Sequence, residues 1–228
     1  MDTLTISCMD RRLNSILDKE NNGNTVMLRN AGANASALRD SIKDIISGNI
    51  GKIKLMAHSD CGAMKVVHSA LKEGVKTSDY VYQNLVKQFD GKPFGTRKEL
   101  EELNEKLQME ELKAISNGIE VESNFVDLSK YHFEEPNALI AVFTYHSTDK
   151  YEDLCKRAGL DTEATYFIQA SSIEEVYSDI EIAVTKLSIK HIALMAKKPS
   201  EYRPVYADMQ KLKMKEFMEG TTVQFIKL

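Results

Sequence analysis

The chain has 228 residues, 43% of them hydrophobic and 28% charged, which is the composition of an ordinary globular unit and excludes collagen-like, disordered and disulfide-scaffold classes. Thirty Lys and Arg against 34 Asp and Glu leave a net charge of −4, spread along the chain, which excludes the basic footprint of a nucleic-acid-binding protein. No apolar run approaches the roughly 18 residues of a membrane span, and Met1-Asp2-Thr3-Leu4 is acidic where a secretory signal is basic, so a cytoplasmic protein is expected.

Short β-rich runs alternate with helical patterns at the start: strands at 4–7, 25–28 and 53–57, helices at 13–19 and 36–47. In the second helix Leu38, Ile42, Ile45 and Ile46 recur at helical spacing, and Gly48 or Gly51 supplies the stop. This βαβαβ rhythm predicts an α/β fold with a parallel-centred sheet flanked by helices. Its strands end near Cys8, Arg29 and His58, where open α/β sheets bind ligands.

From about 63 to 128 the pattern changes to long polar helices. The clearest spans 97–117, with Leu100, Leu103, Leu107, Leu112 and Ile115 on one side and Gly118 to close it. It reads as a covering helix or a subunit contact, and no function is assigned to it. The β/α rhythm then returns: strand 138–145, helix 149–158 closed by Gly159, strand 165–168, helix 173–187, strand 190–196, a helix after Pro204, and strand 221–226.

The expected division is therefore 1–135, carrying the helical segment 63–128, and 136–228, packed with it as one unit. Sliding the chain by 139 residues sets Leu55-Met56-Ala57 on Leu194-Met195-Ala196 and Asp40 on Asp179. Two readings stay open: a degenerate duplication, or a single sheet that 138–150 closes. Under duplication Cys8 falls on Ser147, His58 on Lys197 and Cys61 on Ser200, so the second copy lacks the same metal ligands.

Two patterns carry chemistry: Cys8-Met9-Asp10-Arg11-Arg12 and, fifty residues on, His58-Ser59-Asp60-Cys61-Gly62, each just after a predicted strand. Two thiolates and an imidazole form a Cys₂His set, known at catalytic zinc, and soft sulfur favours zinc over magnesium, calcium or manganese. The fourth position is open to water or to Asp10. Arg12 can hold the Asp10 carboxylate away from the ion in a bidentate pair, or release it to close the site. Cys155 lacks such neighbours and reads as packing, and His68, His132, His146 and His191 have no assigned role.

With these residues in hand, the chain resembles the β-class carbonic anhydrases. Ile6-Ser7-Cys8-Met9-Asp10-Arg11-Arg12 is similar to the family's first ligand motif, Leu28-Arg29-Asn30-Ala31-Gly32 to its Arg-Asn-Ala-Gly stretch, and Met56 to Met64 to its second ligand motif. The resemblance covers about residues 4–65. It implies a zinc held by Cys8, His58 and Cys61, an Asp10–Arg12 dyad beside it, and reversible hydration of carbon dioxide to bicarbonate by attack of zinc-bound hydroxide. Arg29, Asn30, Gly32 and Gly62 are expected to frame the substrate cleft. Carbon disulfide or carbonyl sulfide hydrolysis at the same zinc is an alternative, as is a non-catalytic zinc-binding interaction or regulatory protein. The expected partner is a small molecule, with no nucleic acid or membrane, and the expected assembly is a homodimer or a pseudo-dimer formed within one chain.

Overall fold

The run Leu4-Thr5-Ile6-Ser7-Cys8 has no charged face to turn to water, so as a strand it needs cover on both sides. The computed structural model, which describes residues 2–144 and 147–228, provides that cover. β1 (Thr3–Cys8), α1 (Asn14–Glu20), β2 (Thr25–Asn30), α2 (Arg39–Ile46), β3 (Lys52–Met56) and α3 (Gly62–Lys72) follow one another in strand–helix alternation. A single turn, α4 (Asp79–Val81), runs on through wider and tighter turns to Phe89; then come α5 (Arg97–Ile115) and β4 (Glu120–Ser123). The chain continues with β5 (Leu139–Phe143), α6 (Tyr151–Ala158), β6 (Thr165–Gln169), α7 (Tyr177–Lys186), β7 (His191–Ala196), α8 (Pro199–Lys213) and β8 (Thr222–Lys227).

The strands form one eight-stranded sheet in the order β4-β3-β1-β2-β6-β5-β7-β8. Neighbours are parallel within each set of four, and the sets meet where β2 and β6 pair antiparallel, Arg29 opposite Gln169. The protein is thus α/β with a mostly parallel sheet, as its sequence pattern predicts. Read outward from the seam, each quartet runs second, first, third, fourth strand. Register refines the 139-residue comparison. Ile53 lies beside Leu4 and Ile192 beside Ile140. Setting Ile53 on Ile192 therefore sets Leu4 on Ile140, and Cys8 on Thr144 rather than Ser147.

Three predicted elements are corrected. The segment expected to be helical to 128 contains β4, whose Glu120 to Ser123 pair with Lys52 to Leu55 at the sheet edge, where half-exposed polar side chains are tolerated. The last helix begins at Pro199 rather than after Pro204, because proline suits the first helical position, where its missing N–H would be unbonded anyway. α2 begins at Arg39, three residues later than expected, because Ala31–Ala33 forms a tight turn that continues through the chain preceding the helix. Of the predicted strand 138–145 the structure describes Leu139–Phe143 as strand, while Tyr145, like His146, lies outside the described residues. Among the described residues no helix is long and apolar enough to cross a membrane.

The quartets are joined by buried polar side chains as well as by the sheet. Asn14, with no exposed surface, donates from Nδ2 to the Thr162 and Thr165 carbonyls at 2.7 and 2.9 Å. Arg11 donates to the Glu163 and Glu134 carbonyls at 2.8 and 2.6 Å. Asp18 accepts from the Tyr151 and Glu152 amides at the start of α6. Replacing Asn14 with Ala removes both of its hydrogen bonds across the seam and leaves a buried Arg29 nitrogen without its acceptor, at a cost of about 3 kcal/mol. Urea unfolding of Asn14→Ala should show a lower midpoint and still a single transition, because the seam is shared by both quartets.

Candidate metal centre

β1 and β3 are parallel neighbours, so the residues leaving their carboxyl ends emerge side by side. Cys8 is the last residue of β1; His58 follows β3 and bridges to Val126, which donates its amide to the Ala57 carbonyl. Asp60 then adopts φ 54°, a left-handed conformation that aspartate tolerates better than most residues, and reverses the chain so that Cys61 starts α3. Sγ of Cys8, a ring nitrogen of His58 and Sγ of Cys61 lie within 4.8 Å of one another, and all three residues are buried. Cys61 sits at the amino end of an eleven-residue helix, where the backbone dipole favours negative sulfur.

These donors fit a metal ion. The sulfurs are 3.9 Å apart. A tetrahedral ion with Zn–S bonds of about 2.3 Å sets them about 3.8 Å apart. His58 Nδ1 lies 2.8 Å from the Ser59 carbonyl, which only accepts, so this nitrogen carries the proton and Nε2 offers its lone pair. That Nε2 is buried and has no protein hydrogen-bond partner among the described residues. The Cys61 thiol's hydrogen bond holds the Cys8 thiol well below its ordinary value against the pull of burial, and His58 adds to the effect. The same contact, with burial, pushes Cys61 up.

Asp10 is gripped by Arg12. Arg12 Nε donates to Oδ1 at 3.0 Å and Nη2 to Oδ2 at 2.7 Å, and the Arg12 amide also donates to Oδ1. Burial opposes ionisation of Asp10, but the Arg12 hydrogen bonds and the nearby His58 outweigh it and leave the carboxyl below its ordinary value. Arg12 is itself held by Asp60 Oδ2 and the Asp60 carbonyl, both at 2.9 Å, and Asp60 pairs with Lys65. Asp10 and Cys8 open onto a cleft of about 420 Å³. Val66, Val75, Ile182 and Leu187 give it apolar walls, and Arg12, Lys65 and Lys186 place cations along it. Ile182, Leu187 and Lys186 come from the α7 region, across the seam.

Gly62 lines this cleft, whereas Arg29, Asn30 and Gly32 are not among its lining residues. Those three, expected to frame the substrate cleft, each have a partner in the interior. Arg29 is fully buried and donates to the carbonyls of Cys8 and Asp10 and to Asn14 Oδ1. Asn30 exchanges hydrogen bonds with the backbone of Asn34, from Nδ2 to its carbonyl and from its amide to Oδ1. Gly32, at φ 75°, points its amide at Cys8 Sγ from 3.4 Å, and a Cβ there would come within 3.1 Å of Met64 Cε. Its lack of a side chain lets the amide approach the sulfur and lets α3 pack against it. His68 lies against Phe94 and Glu73, away from the cleft lining, and Cys155 is buried in the core.

Sequence reasoning missed four supporting side chains. Glu101 Oε1 accepts the Cys61 amide at 3.0 Å, Asn104 Nδ2 donates to the Gly32 carbonyl at 2.9 Å, and Gln108 Oε1 accepts the Ala35 amide at 2.9 Å. All three project from α5, and their spacing of three and four residues among leucines marks a buried polar stripe that was visible in the sequence. The fourth, Asp179 on α7, accepts the Ala31 amide at 2.9 Å; burial pushes its carboxyl up to about 7.

On the other side of the seam, the residue that the 139-residue shift sets on His58 is Lys197. Its Nζ meets Asp149 Oδ2 at 2.7 Å, and Arg157 meets the same oxygen at 2.9 Å. Burial works against ionisation of Asp149, but the hydrogen bonds from Lys197 and Arg157 prevail and hold it below its ordinary value. A lowered acid contributes stability above its unfolded value that disappears as pH falls through the folded one. Lys197→Met should therefore lower stability by about 1 kcal/mol at pH 7, a figure kept small by partial exposure, with the loss shrinking toward pH 3. Gly32→Ala should cost about 1 to 2 kcal/mol by forcing alanine into a left-handed conformation against Met64. Thermal melts of both variants across pH test these values.

No family model matches the chain, and no curated protein matches it in sequence. Among solved structures, a carbonic anhydrase from Glaciozyma antarctica aligns with 56% of this chain and 76% of its own length, at 18% identity and a TM-score of 0.35.

Proposed function

We propose that the protein is a zinc-dependent carbonic anhydrase that interconverts carbon dioxide and bicarbonate. The observation that carries this reading is the buried Cys8–His58–Cys61 group with the Arg12-held Asp10 carboxylate beside it at the mouth of a cleft. Structural zinc needs four protein ligands and no gripped carboxylate, whereas catalytic zinc keeps one position open. Cys8, His58 and Cys61 would hold the zinc, which would supply Lewis acidity and a water of lowered pKa.

The chain's own residues do the rest. Oδ1 of Asp10 accepts two hydrogen bonds from Arg12, Oδ2 only one. A carboxylate oxygen has two lone pairs, so Oδ2 retains one to accept the proton of the attacking water and aim its oxygen at carbon. Arg12 holds that carboxylate ionised and in place. Val66, Val75, Ile182 and Leu187 suit an apolar linear substrate, and Lys65 and Lys186 suit an anionic product. Assembly as a pseudo-dimer within one chain is supported by the cleft residues that come from α7 and its end, on the far side of the seam.

Zinc analysis followed by stopped-flow carbon dioxide hydration between about pH 6.5 and 9 tests the reading. About one zinc per chain with turnover rising with pH is expected. Asp10→Asn should keep its zinc and lose at least about 100-fold in turnover; loss of zinc instead would make Asp10 a permanent ligand. Cys61→Ser should lose metal and stability together. Full zinc without hydration at any pH would overturn the proposal and direct assays to carbonyl sulfide and carbon disulfide, and then to a non-catalytic zinc-binding role.

A further inference from the structure

The seam carries a reciprocal pair of contacts that the mechanism above does not use. Arg29 and Gln169 lie opposite each other, so Ala31 and Ser171 leave their strands at matching places on either side. The Ser171 amide donates to Ser41 Oγ on α2 at 2.8 Å, and the Ala31 amide donates to Asp179 Oδ1 on α7 at 2.9 Å. Each quartet thus reaches across to hold the turn that follows the other's seam strand. The two contacts differ in consequence. Ser41 Oγ also donates to Glu175, whereas Oδ2 of Asp179 is buried with no hydrogen-bond partner among the described residues. A buried carboxyl with an unpartnered oxygen is costly where any apolar side chain would pack.

What Asp179 holds is next to the metal centre. The amide after Ala31 belongs to Gly32, and it is the one that points at Cys8 Sγ. The Gly32 carbonyl is held by Asn104 from the opposite side. The Ala31–Gly32 peptide is therefore clamped at both ends, by α7 and by α5. A hydrogen bond to a metal thiolate withdraws charge from sulfur and fixes its direction, and outer partners of this kind typically change metal affinity 10- to 100-fold.

Taking Cys8 as a metal ligand, we infer that Asp179 is a positioning residue of the centre, supplied from across the seam. Its Oδ1 fixes the Ala31 amide and so aims the Gly32 amide at the Cys8 sulfur. The property that matters is an acceptor at Oδ1, which asparagine retains and leucine or alanine lacks.

The test uses the full chain as wild type and as Asp179→Asn, Asp179→Ala and Asp179→Leu. Zinc affinity is measured by chelator competition, the sulfur-to-cobalt charge-transfer band on cobalt-loaded protein, and Gly32 amide hydrogen exchange by NMR on protein stripped of metal. Asn should stay within about 2-fold of wild type in zinc affinity, while Ala and Leu should lose roughly 10-fold, shift the cobalt band and speed Gly32 exchange. If Leu does not fold, Ala decides. A folded Ala or Leu variant with wild-type affinity, band and exchange would overturn the inference, as would Asn losing as much as Ala. Failure of the metal reading looks different: wild type itself binds neither zinc nor cobalt, and Gly32 exchange on the unloaded protein still separates Asn from Ala.

Discussion

The interaction on which most of this structure depends is the burial of the Arg29 guanidinium at the seam of the sheet. It has no exposed surface and, among the described residues, no carboxylate in hydrogen-bond contact; its donors go to the Cys8 and Asp10 carbonyls and to Asn14 Oδ1. A buried cation is tolerated only when its donors are met, so the backbone after β1 has to wrap around it. That backbone carries both a metal-ligand candidate and the carboxylate beside it. Tyr151 completes the cage, its ring 4.8 Å from the guanidinium carbon and its hydroxyl donating to Gln169, the residue opposite Arg29.

The constraint reaches both ways. Asn14, an acceptor for Arg29, spends its amide group on Thr162 and Thr165, so the second quartet holds in place one of the groups that satisfy the buried arginine. The candidate centre is built in the same manner. Its ligands come from the ends of β1 and β3 and the start of α3, yet the amides around them are held by Glu101 and Gln108 on α5 and by Asp179 on α7, and part of the cleft wall is Ile182, Lys186 and Leu187. Rigid helices holding backbone groups place ligands more firmly than loops do alone.

The ligand candidates and the Asp10–Arg12 pair were legible because their chemistry is local: Cys8, Asp10 and Arg12 share one turn, and His58 and Cys61 another, each just past a recognisable strand. Arg29 and Gly32 were legible as unusual residues but not as to their roles, because whether a residue beside a strand end faces a cleft or the interior depends on what packs over it. The stripe Glu101, Asn104 and Gln108 lies in plain view at helical spacing, but a polar stripe has two meanings, and only the opposing surface separates them. β4 escaped notice because Glu120-Val121-Glu122-Ser123 is short and charged, as edge strands are.

The sequence by itself determined the alternation of strand and helix, the parallel-centred α/β class and the three donors that can hold a metal, since periodicity and motif chemistry are properties of neighbours along the chain. The tertiary structure decided the rest. Which strand ends meet, where β2 turns antiparallel to β6, and which distant carboxylates and amides close around Cys8 depend on contacts between residues 40 to 148 positions apart. Such contacts form only where the interior leaves a polar group that must be satisfied, and no local pattern records where that is.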